Sequence, residues 1–167
     1  AVAPAPSDAV SYELAAIRGQ PIASRAILIA ACGRFPILLE GPPGVGKSML
    51  ARALHEILPN LVLEEQSEVA AIASAGGHAT EQPVRPPLRA PHHDITVAGL
   101  IGGGPRMTPG ELTWAHRGLL LLDEIGEFRR DALEALREPL ERGSVDLVRA
   151  GRSVRFPADA IVAATGN

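Results

Sequence analysis

Hydrophobic and polar positions along the chain follow two periods, one typical of helices and one typical of buried strands. Apolar residues recur at helical spacing in four segments, which we interpret as helices over 21–32, 46–58, 64–74 and 130–142. Two short apolar runs, 37–39 and 118–123, are typical of strands buried on both faces of a parallel sheet. A further apolar run, 159–164, predicts one more strand. Strands that alternate with helices predict an α/β fold with a mainly parallel sheet.

Two segments follow neither period in a simple way. Residues 75–109 contain many glycines and prolines, and a loop region of that length in a compact domain is usually functional. Residues 145–149 and 153–156 alternate in character around a short turn, which predicts a β-hairpin. We expect a flexible lead-in over residues 1–15, where Ala and Pro are abundant, and one domain over 16–167, because 167 residues fit a single domain.

Composition and charge exclude several classes of function. The longest apolar runs are far shorter than the ~20 residues of a membrane-spanning helix, and no leader pattern opens the chain, so we expect a cytoplasmic protein without a membrane partner. The formal net charge of −3 provides no overall basic field for nucleic acid. Any contact with DNA must therefore come from a local cluster of arginines.

A glycine-rich motif for phosphate binding lies between the first predicted strand and the second predicted helix. Residues 41–48 match the pattern G-x-x-x-x-G-K-[ST], in which Lys47 reaches the β- and γ-phosphates and Ser48 binds Mg²⁺. The glycines let backbone N–H groups turn toward phosphate oxygens, and the following helix adds its positive end. We predict that ATP binds to these positions: Gly41, Pro42, Pro43, Gly44, Val45, Gly46, Lys47, Ser48 and Met49.

Paired carboxylates follow the apolar strand 118–123. Asp123 suits Mg²⁺, which prefers hard oxygen ligands, so Ser48 and Asp123 are the predicted metal ligands. Glu124 suits the orientation or deprotonation of an attacking water. A third polar group, which senses the γ-phosphate, is expected on the strand that lies between the other two in space. Asn167 is the preferred residue for that role and Thr165 is the alternative.

With these motifs placed, the sequence resembles the AAA+ ATPases, and within them the magnesium-chelatase-like (ChlI-type) group and its ComM/YifB branch. The resemblance covers residues 16–167. It rests on residues 17–20, 41–50, 89–93, 102–104, 109–111, 115–124 and 133–141. One departure is that Asn167 lies farther after the paired alanines Ala163 and Ala164 than the family usually places its asparagine.

The resemblance implies a P-loop NTPase with a three-layer fold and a hexameric ring. It implies helices on both faces of the sheet, an insertion in the second helix over about 75–109, and a hairpin before the sensor strand over about 145–156. The insertion and the hairpin are expected to face the central pore, and Gln20 falls beside the adenine. The branch is associated with DNA processing such as branch migration. The arginine finger and the lid lie beyond Asn167, so we expect the chain alone to bind nucleotide weakly and to hydrolyse it poorly.

Arginines in the insertion and the hairpin are the candidates for DNA contact: Arg89, Arg149 and Arg152. The alternative is an ordinary solvated surface. Two other functions stay open, an ATPase subunit that drives a metal-chelatase partner and a nucleotide-binding module without turnover. We expect no metal site at His92 and His93, because adjacent histidines point in different directions and no partner stands at ligand spacing. His116 is expected to pack or hydrogen-bond rather than to act as a base.

Overall fold

The computed structural model describes residues 19–77 and 82–167 and forms an α/β fold. The predicted lead-in over 1–15 lies outside the described residues. In chain order the elements are α1 Pro21–Gly33, β1 Ile37–Glu40, α2 Lys47–Glu56, α3 Leu63–Ala75, β2 Leu88–Arg89, α4 Val97–Ile101, β3 Gly102–Gly103, β4 Thr108–Pro109, α5 Glu111–Trp114, β5 Leu119–Leu122, a 3-10 turn Ile125–Glu127, α6 Arg130–Arg142, β6 Ser144–Arg149, β7 Arg152–Pro157 and β8 Ile161–Gly166.

Within the described residues the central sheet has four strands in the order β1-β8-β5-β2, and every neighbouring pair is parallel. Strand β8 therefore lies between β1 and β5, as expected for the strand that carries the third polar group. Because the strands are parallel, their carboxyl ends meet at one edge, which is where ligands bind in open α/β sheets. The ends of β1, β5 and β8 together form that edge in this chain.

Strand β5 is buried on both faces, as its apolar run predicts. Its four leucines are at most 1% exposed. Since side chains alternate along a strand, Leu119 and Leu121 pack with α1 and α2, whereas Leu120 and Leu122 pack with α4, α5 and α6. Full burial of each leucine contributes roughly 1.5–3 kcal/mol relative to exposure. Helices on both faces thus sandwich the strand that ends in the paired carboxylates.

The prediction that β1 is buried on both faces is wrong. Ile37 and Leu39 pack against α1 and α2, but Leu38 on the other face is 53% exposed. Strand β1 is the last strand at one side of the sheet. The helices α4, α5 and α6 cover β5 and β8 on that face and do not cover Leu38.

The segment 75–109, predicted to be a long loop, contains regular structure. Strand β2 extends the central sheet, and β3 pairs with β4 in a small antiparallel ladder after helix α4. Gly110 follows this ladder at a place where an added Cβ would lie 2.2 Å from the backbone N of Gly102. Such close backbone approach needs glycine, and the same glycines hide the strand pattern in the sequence.

The predicted hairpin before β8 is confirmed. Strands β6 and β7 pair antiparallel from Ser144 opposite Pro157 to Arg149 opposite Arg152. The connecting residues Ala150 and Gly151 both have positive φ, 46° and 77°, which suits a two-residue hairpin turn. None of the helices within residues 19–77 and 82–167 is long and apolar enough to cross a membrane.

Candidate nucleotide-binding site

The loop between β1 and α2 has the backbone that phosphate binding needs. Gly44 and Gly46 have φ of 81° and 87°, in the left-handed region that favours glycine. Gly46 is also the N-cap of α2 and supplies no capping side chain. The first N–H groups of a helix have no partner within the helix, so those of α2 remain available to a phosphate.

The Lys47 ammonium links this loop to the end of β8. Its Nζ donates to the carbonyl oxygens of Gly41 at 2.6 Å and Pro42 at 3.0 Å, and to Oδ1 of Asn167 at 2.7 Å. The lysine therefore lies along the loop and next to Asn167. A phosphate group that enters the loop can replace these neutral acceptors with charged oxygens, which form stronger hydrogen bonds with an ammonium group.

Two side chains from two different elements converge on the Asp123 carboxylate. Ser48 Oγ, in the first turn of α2, donates to Asp123 Oδ1 at 2.8 Å, and Thr165 Oγ1, on β8, donates to the same oxygen at 2.5 Å. Asp123 directly follows β5. The hard oxygens of Ser48 and Asp123 are the kind of donors that Mg²⁺ takes, and their separation fits one shared ion. The residues predicted as metal ligands therefore meet in space.

Glu124 has an unusual backbone next to this cluster. Its φ of 56° and ψ of 58° are left-handed, which is uncommon for a residue with a side chain. Its N–H donates to Thr165 Oγ1 at 2.9 Å. The Glu124 side chain is exposed at the same edge of the sheet that carries Lys47 and Asp123.

The remaining predicted nucleotide contacts lie on or beside the loop. Gln20 donates from Nε2 to the carbonyl oxygen of Val45 at 2.8 Å, so it braces the loop directly. Pro42 contributes its carbonyl oxygen to Lys47, and Met49 lies in the first turn of α2. The structure thus brings Gln20 and the residues of the motif to the carboxyl edge of the sheet, together with Asp123, Glu124 and Asn167.

The arginine candidates do not form one group. Arg149 and Arg152 are exposed opposite each other at the tip of the β6–β7 hairpin. Arg89 instead lies in β2 and pairs through two nitrogens with the Glu111 carboxylate, at 2.5 and 2.7 Å. The same hydrogen bonds raise the pKa of Arg89. Because its guanidinium joins β2 to α5, the structure does not favour Arg89 as a DNA contact.

A polar cluster that no local sequence pattern indicates lies at the opposite edge of the sheet. The His116 ring, 3% exposed, lies 3.1 Å from Glu68 Oε2, and its Nδ1 accepts the Asp159 N–H at 3.1 Å. Arg117 donates to both Glu68 and Asp159 at 2.7 and 2.8 Å. Burial lowers the pKa of His116. The histidine hydrogen-bonds, as expected, but its partners are 43 and 48 positions away in the sequence.

The reasoning that His92 and His93 lack a partner at ligand spacing is wrong. Their rings lie 4.0 Å apart, and the Asp94 carboxylate is 3.3 Å from His92 Nδ1 and 3.8 Å from His93 Nε2. One ligand atom from each of the three residues lies within 4.8 Å of the others. The Asp94 carboxylate lies beside both rings, and His92 and Asp94 are largely exposed.

Comparison with known proteins identifies relatives for nearly the whole chain. The family described as magnesium chelatase, subunit ChlI, matches residues 13–167. The chain is 42% identical to the Escherichia coli protein YifB over 161 residues, which is 93% of this chain and 32% of YifB. It is 42% identical to the competence protein ComM of Haemophilus influenzae over 153 residues, which is 89% of this chain and 30% of ComM. The chain thus spans about a third of the length of these relatives.

Solved structures show the same fold at lower identity. A complex between subunits BchI and BchD of magnesium chelatase matches with a TM-score of 0.69 and 24% identity, over 93% of this chain and 55% of that chain. NtrX from Brucella abortus in complex with ATP matches with a TM-score of 0.57 and 21% identity, over 90% of this chain and 32% of that chain. These neighbours confirm the AAA+ P-loop fold.

Proposed function

The chain belongs to the magnesium chelatase subunit ChlI family, and from that premise we propose that it is the Mg-ATP-binding core of an AAA+ ATPase. The observation that carries the proposal is the convergence of Lys47, Ser48 and Asp123, which come from a glycine-rich loop, a helix start and a strand end. A structural neighbour that binds ATP, NtrX, supports the same ligand.

Each residue at the site has a role that its chemistry supports. Lys47 exchanges the carbonyl oxygens of its own loop for phosphate oxygens and places a positive charge where phosphate charge accumulates. Ser48 and Asp123 would hold Mg²⁺, which neutralises phosphate charge during transfer. Glu124 orients the attacking water or accepts its proton. Asn167 contacts Lys47, and its amide would sense the terminal phosphate.

The first test measures binding of a fluorescent ATP analogue to this chain, with and without Mg²⁺. We expect binding that strengthens with Mg²⁺, and we expect Lys47→Ala to lose it while its thermal unfolding stays close to that of the wild type. Arg130→Ala, on an exposed part of α6, is a matched control that removes a positive charge elsewhere. Equal binding by the wild type and Lys47→Ala would show that the loop does not hold nucleotide.

We propose further that the full-length protein is a hexameric motor that processes DNA. The exposed pair Arg149 and Arg152 at the hairpin tip supports this proposal. In a ring, each subunit would contribute one such pair, and the repeated positive charge would attract the phosphate backbone of DNA. The printed name of ComM, a competence protein, supports it as well. A second candidate, a subunit that drives a metal-chelatase partner, is favoured by the similarity to BchI.

Turnover by the full-length protein with and without branched DNA separates these two functions. DNA stimulation that requires Lys47 supports the motor. Turnover that ignores DNA at low salt supports the chelatase-like role. This chain by itself is expected to turn over poorly, because an arginine finger supplied by a neighbouring subunit is worth roughly 10³–10⁵ in rate in other P-loop enzymes.

A further inference from the structure

The Thr165 hydroxyl connects the two carboxylate residues of the proposed site. Thr165 is 1% exposed and lies on β8, between the strand that leads into the phosphate loop and the strand that leads into Asp123. Its Oγ1 lies 2.5 Å from Asp123 Oδ1 and 2.9 Å from the backbone N of Glu124. One buried side chain therefore contacts the candidate metal ligand and the candidate base.

The direction of both hydrogen bonds follows from the chemistry of the groups. An ionised carboxylate can only accept and a backbone N–H can only donate, so Thr165 donates its one proton to Asp123 and accepts from Glu124. No donor is left on Thr165 for a phosphate oxygen. Asn167 differs, because its Oδ1 accepts from Lys47 and its amide nitrogen keeps two donors.

The hydrogen bond between Thr165 and the Glu124 backbone affects the direction in which the Glu124 side chain points. In an extended continuation of β5, Glu124 would fall on the same face as Leu120 and Leu122, which is the buried face against α4, α5 and α6. The left-handed backbone breaks that alternation, and Glu124 is exposed instead. Such a backbone persists in a residue with a side chain only when its surroundings hold it. The hydrogen bond from its own N–H to Thr165 supplies part of that support.

We propose that Thr165 is a positioning residue that sets the metal ligand and the catalytic base together. Its hydroxyl holds the Asp123 carboxylate toward Ser48 and keeps the Glu124 backbone left-handed, so that the Glu124 side chain leaves the core and reaches the nucleotide. Asn167 then contacts the phosphate, and the two polar residues at the end of β8 have different tasks. The inference rests on the proposed ATPase function.

Amide hydrogen exchange of this chain in Thr165→Val and Thr165→Ser tests whether the Thr165 hydroxyl holds the Glu124 backbone. Valine has nearly the shape of threonine without the hydroxyl, and serine keeps the hydroxyl. We expect the Glu124 amide to exchange roughly tenfold faster in Thr165→Val, the effect of losing one hydrogen bond, and to recover in Thr165→Ser. The Leu122 amide, inside β5, is the internal control. Unchanged exchange at Glu124 in Thr165→Val would overturn the inference.

Turnover of ATP by the full-length protein tests whether Thr165 positions Asp123 and Glu124 for hydrolysis. In Thr165→Val we expect kcat to fall on the order of a hundredfold, as when a general base is misplaced, with KM for ATP within about threefold. Thr165→Ser should restore kcat. A valine variant that loses kcat and nucleotide affinity together, with no rescue by serine, would overturn the positioning role. Failure of the wild type to bind nucleotide would instead refute the proposed function, and the exchange at Glu124 would still decide whether Thr165 holds that backbone.

Discussion

The salt dependence of DNA binding offers a quantitative test of the motor proposal. Arg149 and Arg152 face each other across the turn of the β6–β7 hairpin, and both are exposed. Under the motor proposal, these two guanidinium groups would neutralise two phosphates. Each phosphate contact contributes about 0.9 to the slope of log K against log salt for duplex DNA. The double change Arg149→Ala and Arg152→Ala should therefore reduce the magnitude of that slope by about 1.8 for each hairpin engaged.

This change in slope corresponds to a large difference over an accessible range of salt. Between 50 and 200 mM, a slope contribution of about 1.8 amounts to roughly a tenfold change in affinity. The assay is fluorescence anisotropy of a labelled duplex with the full-length protein at several salt concentrations. The affinities of two unrelated duplex sequences should fall together, since phosphate contacts carry no sequence information.

The matched control removes two positive charges from another surface. Arg130 and Arg137 on α6 are 91% and 84% exposed, and each pairs with a glutamate four residues later. Arg130→Ala with Arg137→Ala changes the net charge by the same amount but should leave the slope nearly unchanged. Equal slopes for the hairpin variant and the wild type, or equal losses in both variants, would refute the assignment of DNA contact to the hairpin tip.

Three further predictions concern the core, the base and the buried histidine. Leu121→Ala, which opens a cavity in a strand packed on both faces, should lower the free energy of unfolding by about 2.7–5 kcal/mol in urea denaturation, and a loss below 1 kcal/mol would contradict the packing. Glu124→Gln should keep ATP affinity within about threefold and abolish turnover by the full-length protein, whereas turnover near the wild-type rate would exclude Glu124 as the base. Burial lowers the pKa of His116 below its ordinary 6.5, so the folded chain binds a proton at this ring less readily than the unfolded chain does. Protonation therefore favours the unfolded chain, and the free energy of unfolding decreases as the pH falls below 6.5. His116→Gln should therefore lose less thermal stability than the wild type between pH 7 and 5. Part of the pH dependence should remain, because burial also lowers the pKa of His55. Identical pH profiles for the variant and the wild type would contradict this role of His116.

Much of the fold could be predicted because its information is local. The helix over 130–142 has the same bounds in the structure as in the sequence pattern, since its apolar period and charged flanks lie within one short window. The phosphate loop and the strand before Asp123 were predicted in the same way. Strand β2 in the segment 75–109 could not be, because its two residues are held by a distant partner, β5, with Leu88 opposite Leu119.

The chemical groups of the site can be identified from the sequence alone: the glycines and Lys47 of the loop, Ser48 as its last residue, and the carboxylates after an apolar strand. Turn conformation, helix start and strand alternation follow from neighbouring residues, so these groups could be read from short stretches of chain. Which of these groups are joined by hydrogen bonds depends on the tertiary structure. In that structure Thr165 hydrogen-bonds to Asp123 and to the backbone of Glu124, Arg89 pairs with Glu111, and one face of β1 is exposed. The physical reason is that these outcomes depend on strand order and on contacts between residues far apart in the chain, which no local pattern records.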